Sequence, residues 1–164
     1  MPAINADDYE IEKIKDAVNN DIEMLTNIYN KIERFEAKDD AKLKTLMDTL
    51  RKLKNNKVVI FGYFKDTMRY LYRNLRENTR FLNELGISPE KISIVDSDVS
   101  PQERRERISH FSPISNEKPE IKGTAKEIQI LLSTDVLSEG QNLQDANAVI
   151  NYDLPWNPVR LVQR

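Results

Sequence analysis

The chain has no cysteine, one histidine and only four glycines among its 164 residues. Without cysteine there is no disulfide framework, no thiolate nucleophile and no thiolate site for zinc or iron–sulfur, a composition compatible with a reducing cytoplasm. The single histidine, His110, rules out multi-histidine metal centres. It stands beside Phe111 in a short helical segment, where a solvated or packing role is expected and no Ser-His-Asp arrangement is indicated. The glycines Gly62, Gly86, Gly123 and Gly140 are scattered and none precedes a lysine, so the G-x-x-x-x-G-K-[ST] phosphate loop is missing. No apolar run approaches the roughly 20 residues of a membrane span, and the first residues, MPAINADDYE, are acidic where a signal peptide is basic and then apolar. A soluble, cytoplasmic protein without a membrane partner is expected. Neither sign of charge dominates, with 25 basic and 27 acidic residues, so any attraction to nucleic acid has to be local.

What is present is 39% hydrophobic and 32% charged, enough for one compact domain with an appendage. Two regimes meet near residue 57. In the first, apolar residues at Ile11, Ile14, Val18, Leu25, Ile28, Ile32 and Phe35 recur at helical spacing, interrupted by Asp21, and Asn5 is a candidate N-cap. A second helix follows Asp39 and Asp40, with Leu43, Leu46, Met47, Leu50 and Leu53 on one face and Arg51, Lys52 and Lys54 near its end. Residues 1–56 are thus expected to form a helical lead-in hairpin. Its heptad-like stripe packs on the partner helix and the domain body, or else mediates association with a second copy.

From Lys57 the pattern changes. KVVIF (57–61), ISIV (92–95), EIQILLS (127–133) and AVINY (148–152) are β-branched and nearly continuous, as strands covered on both faces should be. Between the first two lies a helix with Met68, Leu71, Tyr72, Leu75 and Leu82 inward, ended by Gly86 at a position that favours a left-handed cap. Ser100, Pro101 and Glu103 supply an N-cap, a first-position proline and a capping box for a helix that runs to about Phe111. Residues 112–126 read as a surface connection. The alternation points to an α/β fold, a parallel sheet with helices on both faces, over residues 57–164.

Ligands of open parallel sheets bind beyond the carboxyl ends of the strands. The four exits here are Gly62-Tyr63, Asp96-Ser97-Asp98, Ser133-Thr134-Asp135 and Asp153-Leu154-Pro155. Asp96, Asp98, Asp135 and Asp153 invite a Mg²⁺ reading, but polar strand ends are ordinary loops and no metal site is assigned. After the first strand, Arg69, Arg73, Arg76 and Arg80 are spaced four, three and four apart, which stacks them along one helix face as a candidate phosphate-contacting stripe.

The stretch ILLSTDVLSEGQNLQDANAVINYDLPWNPVRLVQR (130–164) is the most specific. It resembles the second RecA-like lobe of superfamily-two helicases, especially bacterial members of the Swi/Snf-like branch of DNA translocases. Ser133-Thr134-Asp135 through Gly140-Gln141-Asn142-Leu143 is similar to motif V, NYDLPWNP to the signature that follows it in that branch, and Val159 to Arg164 to the start of motif VI. KVVIFGYF resembles motif IV, and Ser100 to Phe111, with Arg104, the helix after the second strand. At Asp96-Ser97 the chain departs from the His-Gly of many relatives.

The resemblance implies that Ser133 and Thr134 meet a nucleic-acid backbone. It implies that Gly140, Gln141 and Asn142 approach a nucleotide, and that Arg164 is the first arginine of motif VI. ATP, Mg²⁺, a nucleic acid (DNA ahead of RNA) and a first RecA-like lobe of the same protein are the implied partners. No catalytic set is complete in this chain. The γ-phosphate arginines of the family fall after Arg164, and a helix opened by Asn157 and Pro158 has only six more residues, so the chain is expected to be cut inside motif VI and to hydrolyse no ATP alone. The contrasting expectation is a non-catalytic α/β interaction module that dimerises through its N-terminal heptad helix.

Overall fold

The computed structural model describes residues 10–137 and 141–153. The chain divides into two units, Met1–Asp40 and Ala41–Arg164. In the first, α1 (Ile11–Ile32) is a 22-residue helix with no buried residue. Its charged face carries the Glu10–Lys13 and Glu12–Lys15 ion pairs at 2.6 and 2.7 Å, and its apolar stripe, from Ile11 to Ile32, is exposed. Asn5, the expected cap, lies outside the described residues.

The second unit begins with α2 (Ala41–Lys52), so the boundary expected at residue 57 falls at residue 41 instead. The physical reason is burial. Leu43, Leu46, Met47 and Leu50, at three-four spacing, enter the same core as the first strand, and α2 therefore belongs to the lobe rather than to a separate hairpin.

Four strands follow: β1 (Val58–Phe61), β2 (Ile92–Val95), β3 (Ile130–Ser133) and β4 (Ala148–Asn151), at the four apolar tracts. All pair in parallel, in the order β2-β3-β1-β4. Successive side chains alternate across the sheet. Val58 and Ile60 enter a core with α2, α3 (Lys65–Glu77) and α4 (Thr79–Leu85). Val59 and Phe61 enter another with Ile108 and Phe111 of α5 (Pro101–Phe111). Two buried faces explain why the strands read as unbroken apolar runs.

The capping signals behave as their chemistry requires. The Ser100 side chain accepts from the Glu103 N–H while Glu103 reaches back to the Ser100 N–H, with Pro101 in the first turn. Gly86 takes φ 71°, its N–H donating to Asn83 O at 3.1 Å and the next, from Ile87, to Leu82 O at 3.1 Å. One expected helix is two. At Asn78 (φ −82°, ψ 88°) the chain leaves helical geometry, and the Asn78 side chain accepts from Phe81 N–H at 2.9 Å to restart it.

Candidate functional site at the carboxyl edge of the sheet

The strand register brings Phe61, Ser133, Val95 and Asn151 level. The next residue of each strand, Gly62, Thr134, Asp96 and Tyr152, therefore opens the carboxyl edge. Gly62 donates its N–H to Ser133 O at 3.0 Å. A Cβ at this glycine would stand 2.1 Å from Met68 Sδ, so any side chain here requires the Met68 side chain to move.

Asp96 is 2% exposed. Its Oδ2 accepts from Arg69 Nε at 2.7 Å and its Oδ1 from the Asp98 N–H at 2.9 Å. Arg69 Nη2 continues to Asp98 Oδ2 at 2.8 Å, and Lys65 Nζ lies 3.0 Å from the same oxygen. At β4, Asp153 Oδ1 takes Lys42 Nζ at 2.8 Å and its Oδ2 takes the Tyr63 N–H at 3.3 Å, with the Lys42 ammonium 3.9 Å above the Tyr152 ring. Among the described residues no group of three or more His, Cys, Asp or Glu side chains could hold a metal ion; Asp96 and Asp98 are instead paired with Arg69 and Lys65, and Asp153 with Lys42.

Burial pushes the Asp96 carboxyl up, but the Arg69 guanidinium and the Asp98 N–H outweigh it and hold it below the usual aspartate value. A depressed carboxyl contributes stability that is present above its unfolded pKa, about 3.9, and is lost as pH falls through the folded value. Because Arg69 is about half exposed, screening limits the expected contribution to about 1 kcal/mol at pH 7. Urea unfolding should show Asp96→Asn less stable than wild type by that amount at pH 7 and nearly equal to it at about pH 2. A gap that persists in acid would contradict the assignment.

The implied backbone-contacting pair separates. Ser133 is fully buried, its hydroxyl directed at Val95 O (3.0 Å) and Thr134 O (2.7 Å), so it ties β3 to β2 and presents no donor outward. Thr134 stands at the exit, its N–H on Val95 O at a long 3.4 Å. Its hydroxyl takes part in no hydrogen bond among the described residues.

The arginine stripe is not a stripe. Arg69 is bound to Asp96 and Asp98, and Arg76 donates to Tyr72 Oη at 2.5 Å with its guanidinium 5.1 Å from that ring. Arg80 pairs with Glu84 at 3.0 Å on α4, beyond the break at Asn78 that ends the assumed spacing. Of these four arginines, Arg73 alone is exposed with no hydrogen bond or ion pair among the described residues.

Of the nucleotide-contacting set, Gly140 and Arg164 lie outside the described residues, as does the motif VI segment. Gln141 is exposed. Asn142 is tied to the connection after α5: its side-chain Nδ2 donates to Ser115 O at 2.5 Å and its backbone carbonyl accepts from Asn116 Nδ2 at 2.9 Å, while its Oδ1 is buried without a partner among the described residues. The described residues thus assemble no nucleotide site of their own.

The sequence assigns no role to Lys65, and none to the Tyr63–Phe64 pair beyond its place in KVVIFGYF and at the first strand exit. The aromatics are 52% and 62% exposed, with ring centroids 5.0 Å apart at 80°. The signal was their place in FGYFKD, just after the strand ends, where an aromatic has no sheet face to fill.

The described residues at this edge include no nucleophile paired with a base. Against known proteins, the family described as "Helicase conserved C-terminal domain" matches residues 41–164. The chain belongs to that family. A probable ATP-dependent RNA helicase of Methanocaldococcus jannaschii is 31% identical over 157 residues, 96% of this chain and 34% of that protein. The uncharacterized ATP-dependent helicase YqhH of Bacillus subtilis (strain 168) is 60% identical over 38 residues, 23% of this chain and 7% of YqhH. The C-terminal part of the Fun30 ATPase domain superposes with a TM-score of 0.57 at 21% identity, covering 93% of this chain and 46% of that one.

The helicase C-terminal domain is a RecA-like lobe of superfamily-two helicases, and its matched span coincides with the compact unit that starts at α2. The chain spans about a third of the length of the archaeal relative. No helix among the described residues is long and apolar enough to cross a membrane.

Proposed function

We propose that this helicase C-terminal domain is the second motor lobe of a cytoplasmic, ATP-hydrolysing nucleic-acid helicase or translocase. It works with a first RecA-like lobe of the same protein and with ATP and Mg²⁺ bound between the two. The observation that carries the reading is the family match over residues 41–164, joined to a carboxyl edge where the Thr134 hydroxyl, though only 9% of the residue is exposed, has no hydrogen-bond partner among the described residues. A hydroxyl donates to a phosphate oxygen without reading a base, which suits a motor that must move over any sequence. DNA is preferred over RNA as the track on the resemblance of NYDLPWNP to the Swi/Snf-like signature. Against that preference stands the archaeal relative, whose name says RNA.

The nucleotide-facing role falls to Gly140, Gln141 and Arg164. The bonding of Asn142 to the 115–116 turn argues against a direct part for its side chain. No hydrolysis is assigned to the 164-residue chain by itself, because the phosphate loop is not among its motifs.

The test is nucleic-acid-stimulated ATP hydrolysis by the full-length protein. Thr134→Ala removes one backbone contact and should raise the nucleic-acid concentration for half-maximal stimulation about five- to tenfold, the equivalent of roughly 1–1.5 kcal/mol for one hydrogen bond. Basal hydrolysis should be unaffected. An unchanged half-maximal concentration would remove the role given to Thr134.

A further inference from the structure

The pair Lys65 and Arg69 lies one helical turn apart on α3, and both side chains close on a single oxygen, Asp98 Oδ2, at 3.0 and 2.8 Å. An ammonium and a guanidinium that bracket one oxyanion are the arrangement a phosphodiester oxygen would complete. We propose that Lys65 and Arg69 are a binding site for nucleic-acid backbone phosphate, and that the Asp98 carboxylate occupies this site in the free protein as an internal competitor. The inference rests on the motor-lobe reading above.

Four observations support it. All three groups face solvent, with side chains 39%, 46% and 52% exposed for Lys65, Arg69 and Asp98, so an incoming phosphate can reach them. Exposed ion pairs of this kind contribute little to stability and exchange readily. Second, Arg69 has a separate anchor: its Nε stays on Asp96, which is 2% exposed, when Nη2 lets go of Asp98. The guanidinium is thus held in place for a new partner.

Third, Asp98 is bound to the rest of the edge mainly through these two cations and the neighbouring Ser97 hydroxyl at 3.4 Å. Finally, the bridge joins the exits of β1 and β2, two strands separated in the sheet by β3, whose exit residue is Thr134. A phosphate taken by Lys65 and Arg69 therefore belongs to the same track as one touched by Thr134. With two cations and two carboxylates the resting edge is neutral; handing Asp98 to solvent leaves it able to attract a polyanion.

The experiment measures binding of the full-length protein to fluorescein-labelled DNA duplex, single-stranded DNA and single-stranded RNA of about 30 nucleotides by anisotropy across a salt series, where each phosphate contact steepens the log–log salt slope by about 0.7–0.9. Asp98→Asn keeps the shape and removes the competitor. It should tighten binding about three- to tenfold at the lowest salt and steepen the slope by about one contact. Lys65→Gln should weaken binding and flatten the slope by a similar amount, and the double variant should lose the gain of Asp98→Asn. Asp48→Asn, which removes the same charge from the partner of Arg51 toward the far end of α2, should leave affinity and slope at wild-type values.

Wild-type binding with an unchanged affinity and slope in Asp98→Asn overturns this inference alone. Equal tightening by Asp98→Asn and Asp48→Asn also overturns it, since that is a general charge effect. A wild-type protein that binds none of the three probes overturns the motor reading, and this inference with it.

Discussion

Replacing Glu127 with alanine is expected to destabilise the lobe by about 3–5 kcal/mol, because it strands a nearly buried ammonium. Lys57 Nζ lies 2.6 Å from Glu127 Oε1, with the two side chains only 15% and 11% exposed. The same ammonium donates to Phe111 O at 2.6 Å, and Glu127 Oε2 accepts the Gly123 N–H at 2.6 Å. Burial pushes the Glu127 carboxyl up, and Lys57 and the Gly123 amide more than compensate, holding it below the usual glutamate value.

The pair thus fastens the entry of β1 to the end of α5 and to the approach of β3. Because desolvating two charges costs nearly what their attraction returns, Lys57→Met combined with Glu127→Leu should recover most of the loss. Urea midpoints at pH 7 read both. A Glu127→Ala variant within about 1 kcal/mol of wild type would mean that the pair behaves as a solvated surface contact.

The second large effect is expected at Gly62. A methyl group there would sit 2.1 Å from Sδ and 3.1 Å from Cγ of Met68, and Met68 is fully buried. Forcing a methyl into a packed interior costs about 1–3 kcal/mol. Met68→Ala alone opens a cavity and costs about 2–5 kcal/mol. The two changes share one space, so the double variant should be more stable than the sum of the single losses predicts, by 1 kcal/mol or more on the order of other coupled neighbours. Strict additivity in thermal or urea unfolding would show that the methyl group and the Met68 side chain do not compete for one space.

These two positions also show what was legible in the residues and what was not. The strand tracts and the Ser100–Glu103 capping box are local patterns, set by burial on both faces and by groups three residues apart, and they could be read directly. Lys57 and Glu127 open the tracts KVVIF and EIQILLS, and nothing local says that residues 70 positions apart form an ion pair.

The arginine spacing assumed a continuous helix from residue 65 to 85. Asn78 is tolerated inside a helix but is better as a cap, and the structure takes the second option. Motif position implies outward roles for Ser133 and Asn142, whereas in the fold the serine hydroxyl and one N–H of the Asn142 amide go to carbonyls that only the tertiary fold brings near. Lys65 carries no local signal for the same reason, since its partner Asp98 is 33 residues away.

At the edge itself, the division of labour among similar residues follows from burial. Asp96 and Asp98 differ by two positions, yet one is sealed under Arg69 and the other half in solvent. Only the second can yield its cations to a ligand. Ser133 and Thr134 are both buried, at 0% and 9% exposure, and differ instead in bonding: the serine hydroxyl is held between two carbonyls and ties β3 to β2.

The central claim is that nucleic acid lies across the carboxyl edge of this sheet. Amide hydrogen exchange of the full-length protein, with and without a saturating oligonucleotide, tests it directly. Slower exchange is predicted for segments 62–66, 96–100 and 133–137, with segments 53–57 and 86–91 at the opposite edge unchanged. Protection of the opposite edge, with none at the three exits, would contradict the account.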